Sequence, residues 1–457
     1  MGGGRPNTTS SISGSGKKVQ AVCHEERHAA HWRIKFPVAS SDRPADDAPV
    51  LSLLRRTQHM SNRWGILALL FAVRTAMAIQ YQSVAAVAPR LITDYGVGIA
   101  DIGVLISLYL APGIVLALPG GTVGRYFGDK RSVLAGLLLM SLGGVIMVLT
   151  ESWSGQISGR LIAGVGGVLL NVLMSKMIVD WFAGREIATA MAVFVNSWPV
   201  GIALGLLLLP SIVVQHGVQT AFLVCTMIVL LGLVALLLLY RDPSADTPTA
   251  SAAGVPGRAA TIAVIAAGCT WSLYNAGFAM VFGFGPAMLV ERNWSIEAAG
   301  STVSLTLWLI ALSVPAGGYI ADYVKRPIAV IVAGCLAFAA LMLAVTRTDA
   351  VLPTFVALGI VGGLPAGAIM SLPTRVLCPA TRAVGMGIYF TAFYVGMAAG
   401  PLLGGLIGSW FGTSAATFDL GAVLLLSACL SVWLFRKLAD AAVATPSQAH
   451  SSRLVLR

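Results

Sequence analysis

Residues 64–88, WGILALLFAVRTAMAIQYQSVAAVA, form one long apolar stretch in which Arg74 is the only charged residue. A helix needs about 20 apolar residues to cross the hydrocarbon core of a bilayer, so this stretch predicts a membrane-spanning helix. The whole chain has the same character, because 57% of its 457 residues are hydrophobic and 11% are charged. Soluble domains carry about 25% charged residues. The composition therefore excludes a soluble globular protein.

Stretches of this kind follow one another in two sets of six. They lie near residues 64–88, 100–122, 132–150, 156–177, 187–210, 218–240, 260–289, 298–320, 327–346, 353–373, 384–408 and 413–436. The polar, Pro-rich segment 241–259 separates the two sets and is predicted to be a cytoplasmic linker. We therefore predict an all-α membrane protein with 12 transmembrane helices in two six-helix bundles, residues 60–240 and 260–437.

The two ends of the chain differ from the bundles. Residues 1–59 begin with a Gly/Ser-rich run and show no apolar periodicity, which is typical of a disordered cytoplasmic extension. They also lack the apolar core of a signal peptide. An alternative is that Met60, which leads directly into the first span, is the native start. Residues 438–457 are predicted to form a cytoplasmic tail.

The two sets of spans are related by an internal repeat. The stretch AMAVFVNSWPVGIALG at 190–205 aligns with GMGIYFTAFYVGMAAG at 385–400, which pairs Gly201 with Gly396 and Gly205 with Gly400. A repeat that runs in the same direction after six spans is typical of secondary transporters. It predicts two pseudo-symmetric bundles side by side with a pathway between them.

Lysine and arginine are concentrated in alternate loops. With the N-terminus inside, the cytoplasmic loops contain Arg125, Lys130, Arg131, Lys176, Arg185, Arg241, Arg258, Lys325, Arg326, Arg375 and Arg382. The outer loops contain Arg90, Arg292 and Arg347. This bias follows the positive-inside rule, so both termini are predicted to be cytoplasmic in the plasma (inner) membrane. Because the basic residues lie in these loops and in the tails, the net charge of +11 does not indicate nucleic-acid binding.

The loop after the second span, PGGTVGRYFGDKR at 119–131, resembles the signature loop of the major facilitator superfamily. The matching positions are Gly120, Arg125, Gly128, Lys130 and Arg131. Gly124 stands where the family has an acid, and Asp129 follows the second glycine instead. In the second half, GGYIADYVKR at 317–326 keeps the acid as Asp322. The resemblance implies that these loops gate the cytoplasmic side. The alternative is an ordinary basic loop.

Two further stretches are similar to motifs of the same family. GRLIAGVGG at 159–167 has the family's helix-4 arginine as Arg160, and GMAAGPLLGG at 396–405 has the spacing of its Gly-Pro motif, with Gly396, Gly400 and Pro401. The resemblance covers residues 60–440 and implies rocker-switch alternating access by a monomer. Within the family, the loop is similar to that of cyanate-permease-like members. The presence of arginine in helices 1 and 4, as Arg74 and Arg160, resembles the sialin-related organic-anion symporters.

Arg74 is the first candidate for a binding residue. It lies about ten residues into its helix, or roughly 15 Å at 1.5 Å per residue, which places it near the middle of the bilayer. A guanidinium there costs about 2.5–3.5 kcal/mol on insertion scales, and no acid in the same helix can pair with it. We therefore expect it to bind an anion. Arg160 is either a second anion contact or a structural and gating arginine.

Polar and aromatic residues in other spans complete the predicted site between the halves. They are Tyr81, Asn171, Asn196, Trp271, Asn275 and Tyr394. Trp271 occupies the place of Arg74 in the repeat, and Tyr81 shares a helix face with Arg74. The alternatives are interhelical hydrogen bonding for the three amides and simple packing for the aromatic residues. Lys176 and Asp180, four residues apart, predict a salt bridge.

No span has an aspartate or glutamate near its middle. This disfavours proton symport through a buried carboxylate, whereas exchange and facilitated diffusion remain open. The sequence shows no nucleophile–base pair, metal cluster or nucleotide loop, so neither an enzyme nor a cofactor is expected. We predict a secondary or facilitative transporter of a small, anionic solute. The alternatives are an exporter of hydrophobic or cationic compounds and a receptor that binds without transport.

Overall fold

The computed structural model describes residues 49–182, 186–241, 254–378 and 381–454. Its first half contains α1 (Pro49–Ala86), α2 (Ala88–Tyr95), α3 (Ile99–Leu108), α4 (Gly113–Phe127), α5 (Asp129–Leu149), α6 (Trp153–Trp181) and α7 (Ile187–Leu239). Its second half contains α8 (Arg258–Glu291), α9 (Ile296–Val324), α10 (Pro327–Val345), α11 (Val351–Gly362), α12 (Leu364–Ser371), α13 (Arg382–Phe411) and α14 (Ala415–Leu454). A 3₁₀ turn, Leu372–Arg375, follows α12.

The described residues contain eleven stretches that are helical, long and apolar enough to span a membrane. The longest of them, Val193–Leu239, crosses twice, because Gly217 within it has φ +83° and ψ 172° and interrupts the helix. A residue with a side chain rarely adopts this conformation. The structure therefore confirms twelve helical spans and an all-α membrane fold.

The helices at the two ends extend beyond the predicted spans. Helix α1 begins at Pro49, ahead of Met60, so the helix starts inside the segment that we predicted to be disordered. Helix α14 continues to Leu454 and includes most of the predicted tail. The predicted extension at 1–48 and most of the predicted linker, residues 242–253, lie outside the described residues.

Two spans that we predicted as continuous helices are broken. Residues 100–122 contain a turn between α3 and α4, where Pro112 has no N–H to donate and the N–H of Gly113 bonds to the carbonyl of Leu110. Residues 353–373 are divided at Gly363, between α11 and α12, just before Pro365. The prediction of unbroken helices was wrong here, because a proline removes a hydrogen bond of the helical ladder.

The packing follows the repeat. In the first half α1 packs against α7 and α5 against α6, whereas in the second half α8 packs against α13 and α14. The two halves meet where α3 packs against α13 and α7 against α9. Small residues allow close approach at these contacts. A side chain at Gly136 would collide with the carbonyl oxygen of Gly166, and one at Gly300 would collide with that of Leu206.

We call the side of the molecule where α1 begins the N-terminal face and the other side the opposite face. Hydrogen bonds join the two halves toward the opposite face. The Gln82 amide donates to the carbonyl of Phe282 over 2.8 Å, and the Ser304 hydroxyl donates to that of Ala203 over 2.8 Å. Gly103 lies directly against the backbone of Pro401. The halves are therefore in tight contact at this end.

Candidate functional site

Arg74 lies in the middle of α1 and is held by neutral groups. Its Nε donates to the Asn171 side-chain oxygen over 3.0 Å, and its Nη1 donates to the carbonyls of Phe194 and Val195 over 3.0 and 3.3 Å. Among the described residues, Nη2 has no hydrogen-bond partner, and the half-buried guanidinium makes no ion pair. One edge of a permanently charged group therefore stays available.

The local sequence of α7 explains why one of these acceptors is free. In a helix the carbonyl of Val195 would accept from the N–H four residues later, but that residue is Pro199, which has none. Arg74 donates to the carbonyl instead. Its guanidinium carbon also lies 4.7 Å from the centre of the Phe194 ring, within the range of a cation–π contact. Sequence and packing together thus fix one side of the guanidinium.

Asn171 and Tyr394 connect this arginine to the other half of the molecule. The Asn171 amide donates to the Tyr394 hydroxyl over 2.9 Å. The Tyr394 ring lies against the backbone of Gly113, where any side chain would overlap with it. Three residues of the predicted site, Arg74, Asn171 and Tyr394, are thus brought together by the structure, and they belong to α1, α6 and α13.

Aromatic side chains of the second half extend the site. Trp271 stacks on Tyr274 with ring centres 5.7 Å apart and lies 6.2 Å from Phe393, which in turn contacts Tyr394 at 5.2 Å. Asn275 donates to the carbonyl of Trp271 in its own helix over 2.8 Å. We call Trp271, Tyr274 and Phe393 the aromatic wall.

Asn196, the remaining predicted amide, is half-buried in α7. Its side chain has no hydrogen-bond partner among the residues that the structure describes. It lies one residue beyond Val195, whose carbonyl holds Arg74. The structure therefore places it on the same helix as the Arg74 carbonyl acceptors but shows no contact between the two side chains.

Arg160 has surroundings of a different kind. It is completely buried, and its Nε, Nη1 and Nη2 donate to the carbonyls of Leu105, Gln80 and Tyr81. Its guanidinium carbon lies 4.5 Å from the centre of the Tyr109 ring. Every guanidinium nitrogen thus has a backbone partner, and these partners come from α1 and α3. The structure does not bring Arg160 together with Arg74.

Tyr81 lies between the two arginines. It is 2% exposed, its ring centre is 5.0 Å from that of Trp198 and 5.6 Å from that of Tyr109, and its hydroxyl has no partner among the described residues. Trp198 is also 6.0 Å from the Arg74 guanidinium. Tyr81 therefore borders the site through Trp198 instead of contacting Arg74 directly.

The signature loop contains an unexpected arrangement of charge. Asp129 pairs with Lys176 over 2.5 Å, and Lys176 also makes the predicted salt bridge with Asp180 at 3.6 Å. The other oxygen of Asp129 lies against Gly124, at the position that a side chain there would occupy. Asp129 therefore supplies a carboxylate beside the residue at which the family motif has its acid. Gly128, with φ +84°, makes the turn between α4 and α5.

The other motif residues lie in different surroundings: some contact helix ends, some are exposed and some lie between helices. Lys130 donates to the carbonyls of Leu237 and Tyr240 at the end of α7. Arg131 and Asp322 are exposed, and the side-chain surroundings of Gly120 and Arg125 lie outside the described residues. Gly396 and Gly400 allow α13 to approach Ser272 and Ala276 of α8, and the carbonyl of Pro401 faces Gly103. The three residues of the Gly-Pro motif thus lie at helix contacts.

Sequence reasoning missed the contribution of the backbone. The carbonyls of Phe194 and Val195 hold Arg74, and Gly113 provides the surface on which Tyr394 lies. Pro199 was the available signal, because a proline inside a span always leaves a carbonyl without its helical donor. No pattern in the sequence indicates which side chain then donates a hydrogen bond to that carbonyl.

Two six-helix bundles that meet around a central polar site are typical of membrane carriers for small solutes. The chain belongs to the Major Facilitator Superfamily, whose sequence profile matches residues 67–276 and 260–456. It is therefore a multi-pass membrane transporter.

Individual relatives are distant. The hexuronate transporter of Bacillus subtilis (strain 168) is 23% identical over 378 residues, which cover 76% of this chain and 88% of that protein. The inner membrane transport protein YajR of Escherichia coli (strain K12) is 24% identical over 366 residues, 75% and 77% of the two chains. A bacterial homologue of the human lysosomal transporter Spinster, solved in an inward-facing and occupied conformation, has the same fold with a TM-score of 0.64 at 14% identity, covering 84% of this chain and 97% of that one.

Proposed function

We propose that the protein transports a small organic anion, with Arg74 as the residue that binds its charged group. The observation that carries this proposal is the available Nη2 edge of Arg74 at a site shared by both halves. A guanidinium binds a carboxylate through short, charge-assisted hydrogen bonds. A carboxylate on Nη2 would provide the negative charge that the neutral neighbours of Arg74 lack.

The aromatic wall favours an organic anion over an inorganic one. Trp271 and Phe393 lie 6.2 Å apart, Phe393 contacts Tyr394, and apolar rings next to the site would suit the carbon skeleton of a substrate. The relative from Bacillus subtilis is a hexuronate transporter, and a hexuronate combines a carboxylate with a sugar ring. Arg160 contributes to the site only indirectly in this proposal, because its donors are already bonded to carbonyls.

The orientation and the conformation belong to the same proposal. Under the positive-inside rule the N-terminal face is cytoplasmic, in the plasma membrane. In this proposal the contacts of Gln82 and Ser304 close the extracellular side, the site is reached from the cytoplasm in this state, and the carrier works as a monomer. Transport then alternates between this state and one in which these contacts open and the N-terminal face closes.

Uptake into proteoliposomes that are preloaded with the unlabelled form of each compound tests the proposal. The panel contains labelled glucuronate, gluconate, pyruvate, phosphate and nitrate, together with the cation tetraphenylphosphonium as a representative of drug-type substrates. We expect uptake of at least one carboxylate. Uptake of tetraphenylphosphonium without any anion would support the exporter alternative and contradict the proposal.

Arg74→Gln gives the residue test. A hydrogen bond to a charged group is worth about 1.5–3 kcal/mol, so we expect carboxylate binding to weaken by roughly 10- to 100-fold. Arg347→Gln is the matched control, since Arg347 is exposed in the turn after α10, away from the site, and pairs with Asp419 of α14. Unchanged carboxylate binding in Arg74→Gln would rule out Arg74 as the contact.

A further inference from the structure

The charge of Arg74 has no counter-charge in its surroundings. The elements packed against the guanidinium contribute an amide from Asn171, backbone carbonyls from Phe194 and Val195, and the ring of Trp198. Tyr394, which reaches the arginine through Asn171, is the one ionisable side chain in this described group. All of these groups are neutral at physiological pH.

The sequence extends this observation to the whole chain. Each of its 19 acidic residues lies in a tail, in a loop or close to one end of a span. Its six histidines are equally remote, since five lie in the tails and His216 is exposed beside the break at Gly217. Among the residues that the structure describes, no carboxylate or imidazole is therefore placed to neutralise Arg74 or to carry a proton with the substrate.

This imbalance distinguishes the empty carrier from the loaded one. To change states, the halves must close around the site on the N-terminal face before they open on the other side, which removes Arg74 from solvent. Burying an uncompensated charge is costly, whereas a hydrogen-bonded ion pair recovers much of that cost. A bound monocarboxylate makes the occluded site electrically neutral. The loaded carrier should therefore change states much faster than the empty one.

We infer that the protein is an anion exchanger, in which the carrier returns across the membrane only with another anion bound. The inference rests on the proposed function, because it requires an anion on Arg74. Exchange of one monocarboxylate for another is electroneutral, so neither the membrane potential nor a proton gradient drives it. Over pH 6–8 none of the groups around Arg74 changes its charge, so the rate of exchange stays constant.

Counterflow measurements test the inference directly. Purified protein is reconstituted into liposomes that contain either buffer alone or unlabelled glucuronate, and entry of labelled glucuronate is followed; pyruvate and nitrate are treated in parallel. We expect entry into preloaded liposomes to be at least tenfold faster than entry into empty ones. A valinomycin-imposed potassium potential and an imposed pH gradient should each change the preloaded rate by less than twofold.

Asn171→Asp gives a second, gain-of-function test. The introduced carboxylate would lie at hydrogen-bond distance from Nε of Arg74, since the Asn171 oxygen is 3.0 Å from it. When ionised it neutralises the guanidinium of the empty carrier, and when protonated it leaves Arg74 free for the substrate. We expect net entry into empty liposomes that is faster at pH 6 than at pH 8. The matched control is Asn293→Asp, because Asn293 is exposed in the turn between α8 and α9, away from Arg74.

The outcomes separate the two proposals. If an anion enters empty liposomes as fast as preloaded ones, or accumulates with an imposed proton gradient in the wild type, the exchange inference is overturned while the anion proposal stands. If glucuronate, pyruvate and nitrate enter in neither condition, both proposals fail. Net entry that stays absent in a folded Asn171→Asp variant would contradict the charge argument itself.

Discussion

Arg74 and Arg160 both donate to backbone carbonyls, but they differ in how many donors the protein satisfies. Arg160 has a carbonyl for each of its three nitrogens and no exposed surface. Arg74 has neutral partners for two nitrogens and leaves the third available. A fully bonded, buried guanidinium stabilises the helices around it, whereas one with an available edge can bind a ligand. The same residue type thus has two different surroundings in one molecule.

Arg160→Gln should reduce stability much more than Arg74→Gln. The shorter, neutral side chain leaves carbonyls of α1 and α3 without a donor, and each hydrogen bond to a charged group is worth about 1.5–3 kcal/mol. We expect the free energy of unfolding to fall by at least about 3 kcal/mol, detected as a lower melting temperature in detergent. Arg74→Gln should lower the melting temperature less, because Arg74 is only half-buried and the Phe194 carbonyl keeps the Ser197 hydroxyl as a donor.

Anion binding should differ between the two variants in the opposite sense, with weaker binding in Arg74→Gln than in Arg160→Gln. At a temperature where Arg160→Gln remains folded, its affinity for glucuronate or pyruvate should stay within about threefold of the wild type. A variant that is as stable as the wild type but no longer binds these anions would show that Arg160 is itself a contact. Of the two alternatives that the sequence left open for Arg160, that result would favour the second anion contact.

Gly124 and Asp129 also depend on each other, because only a glycine at position 124 leaves room for the Asp129 carboxylate. The carboxylate of Asp129 occupies the space beside Gly124 and pairs with Lys176. Restoring the family's acid by Gly124→Asp would place a second carboxylate on top of the first and against Leu173. Like charges at this distance repel each other, and the overlap cannot be relieved without moving α4 or α5.

We therefore expect Gly124→Asp to lower the melting temperature and the yield of monodisperse protein. The double variant Gly124→Asp/Asp129→Gly, which transfers the acid to the family's position, should recover most of the loss. Size-exclusion chromatography with fluorescence detection measures both variants on the same scale. A double variant that is less stable than the single one would mean that the two positions do not substitute for each other.

At the level of elements, the break between α3 and α4 depends on close contact with α6. Gly164 of α6 lies against the carbonyls of Leu108 and Tyr109, which have lost their usual helical donors near Pro112. A side chain at this position would come within 2.5 Å of the Tyr109 oxygen. The glycine thus allows two backbones to meet where one of them is irregular.

Gly164→Ala should therefore destabilise the protein by about 1–3 kcal/mol, the usual cost of overpacking. Gly65→Ala is the matched control, because a side chain at Gly65 in α1 would meet nothing within 4 Å. That substitution should leave the melting temperature unchanged or raise it slightly, since alanine is the better helix former by about 1 kcal/mol. Equal melting temperatures for the two variants would show that the contact at Gly164 is not tight.

The twelve spans and the two-bundle fold could be predicted because apolar length is a local property of the sequence. The grouping of Arg74 with Asn171 and Tyr394 is shown only by the structure, although each residue was a candidate, since their contacts depend on how α1, α6 and α13 are arranged. The carbonyls of Phe194 and Val195 and the place of Asp129 beside Gly124 could not be predicted. Those contacts arise between elements that are far apart in the chain.

At the level of the whole molecule, the proposed transport cycle needs a second state in which the opposite face is open. The opposite face is closed by contacts between main chains: Gly103 lies against Pro401 and Gly405, and Gly405 also faces the carbonyl of Ile99. Because these contacts are between backbone atoms, they include no flexible side chain that could adjust to a different arrangement of the two halves. The two halves should therefore fit together in a single closed arrangement and separate as rigid units.

Gly103→Ile should prevent this closure. The added side chain would overlap the carbonyl of Pro401 and the Cα of Gly405, so we expect the opposite face to stay open and glucuronate exchange to fall at least tenfold. Spin labels on unnatural amino acids at positions 93 and 298, one in each half, should show a longer mean distance than in the wild type. Gly65→Ile serves as the control and should change neither value. An unchanged distance with normal exchange in Gly103→Ile would mean that the α3–α13 contact is not part of the transport cycle.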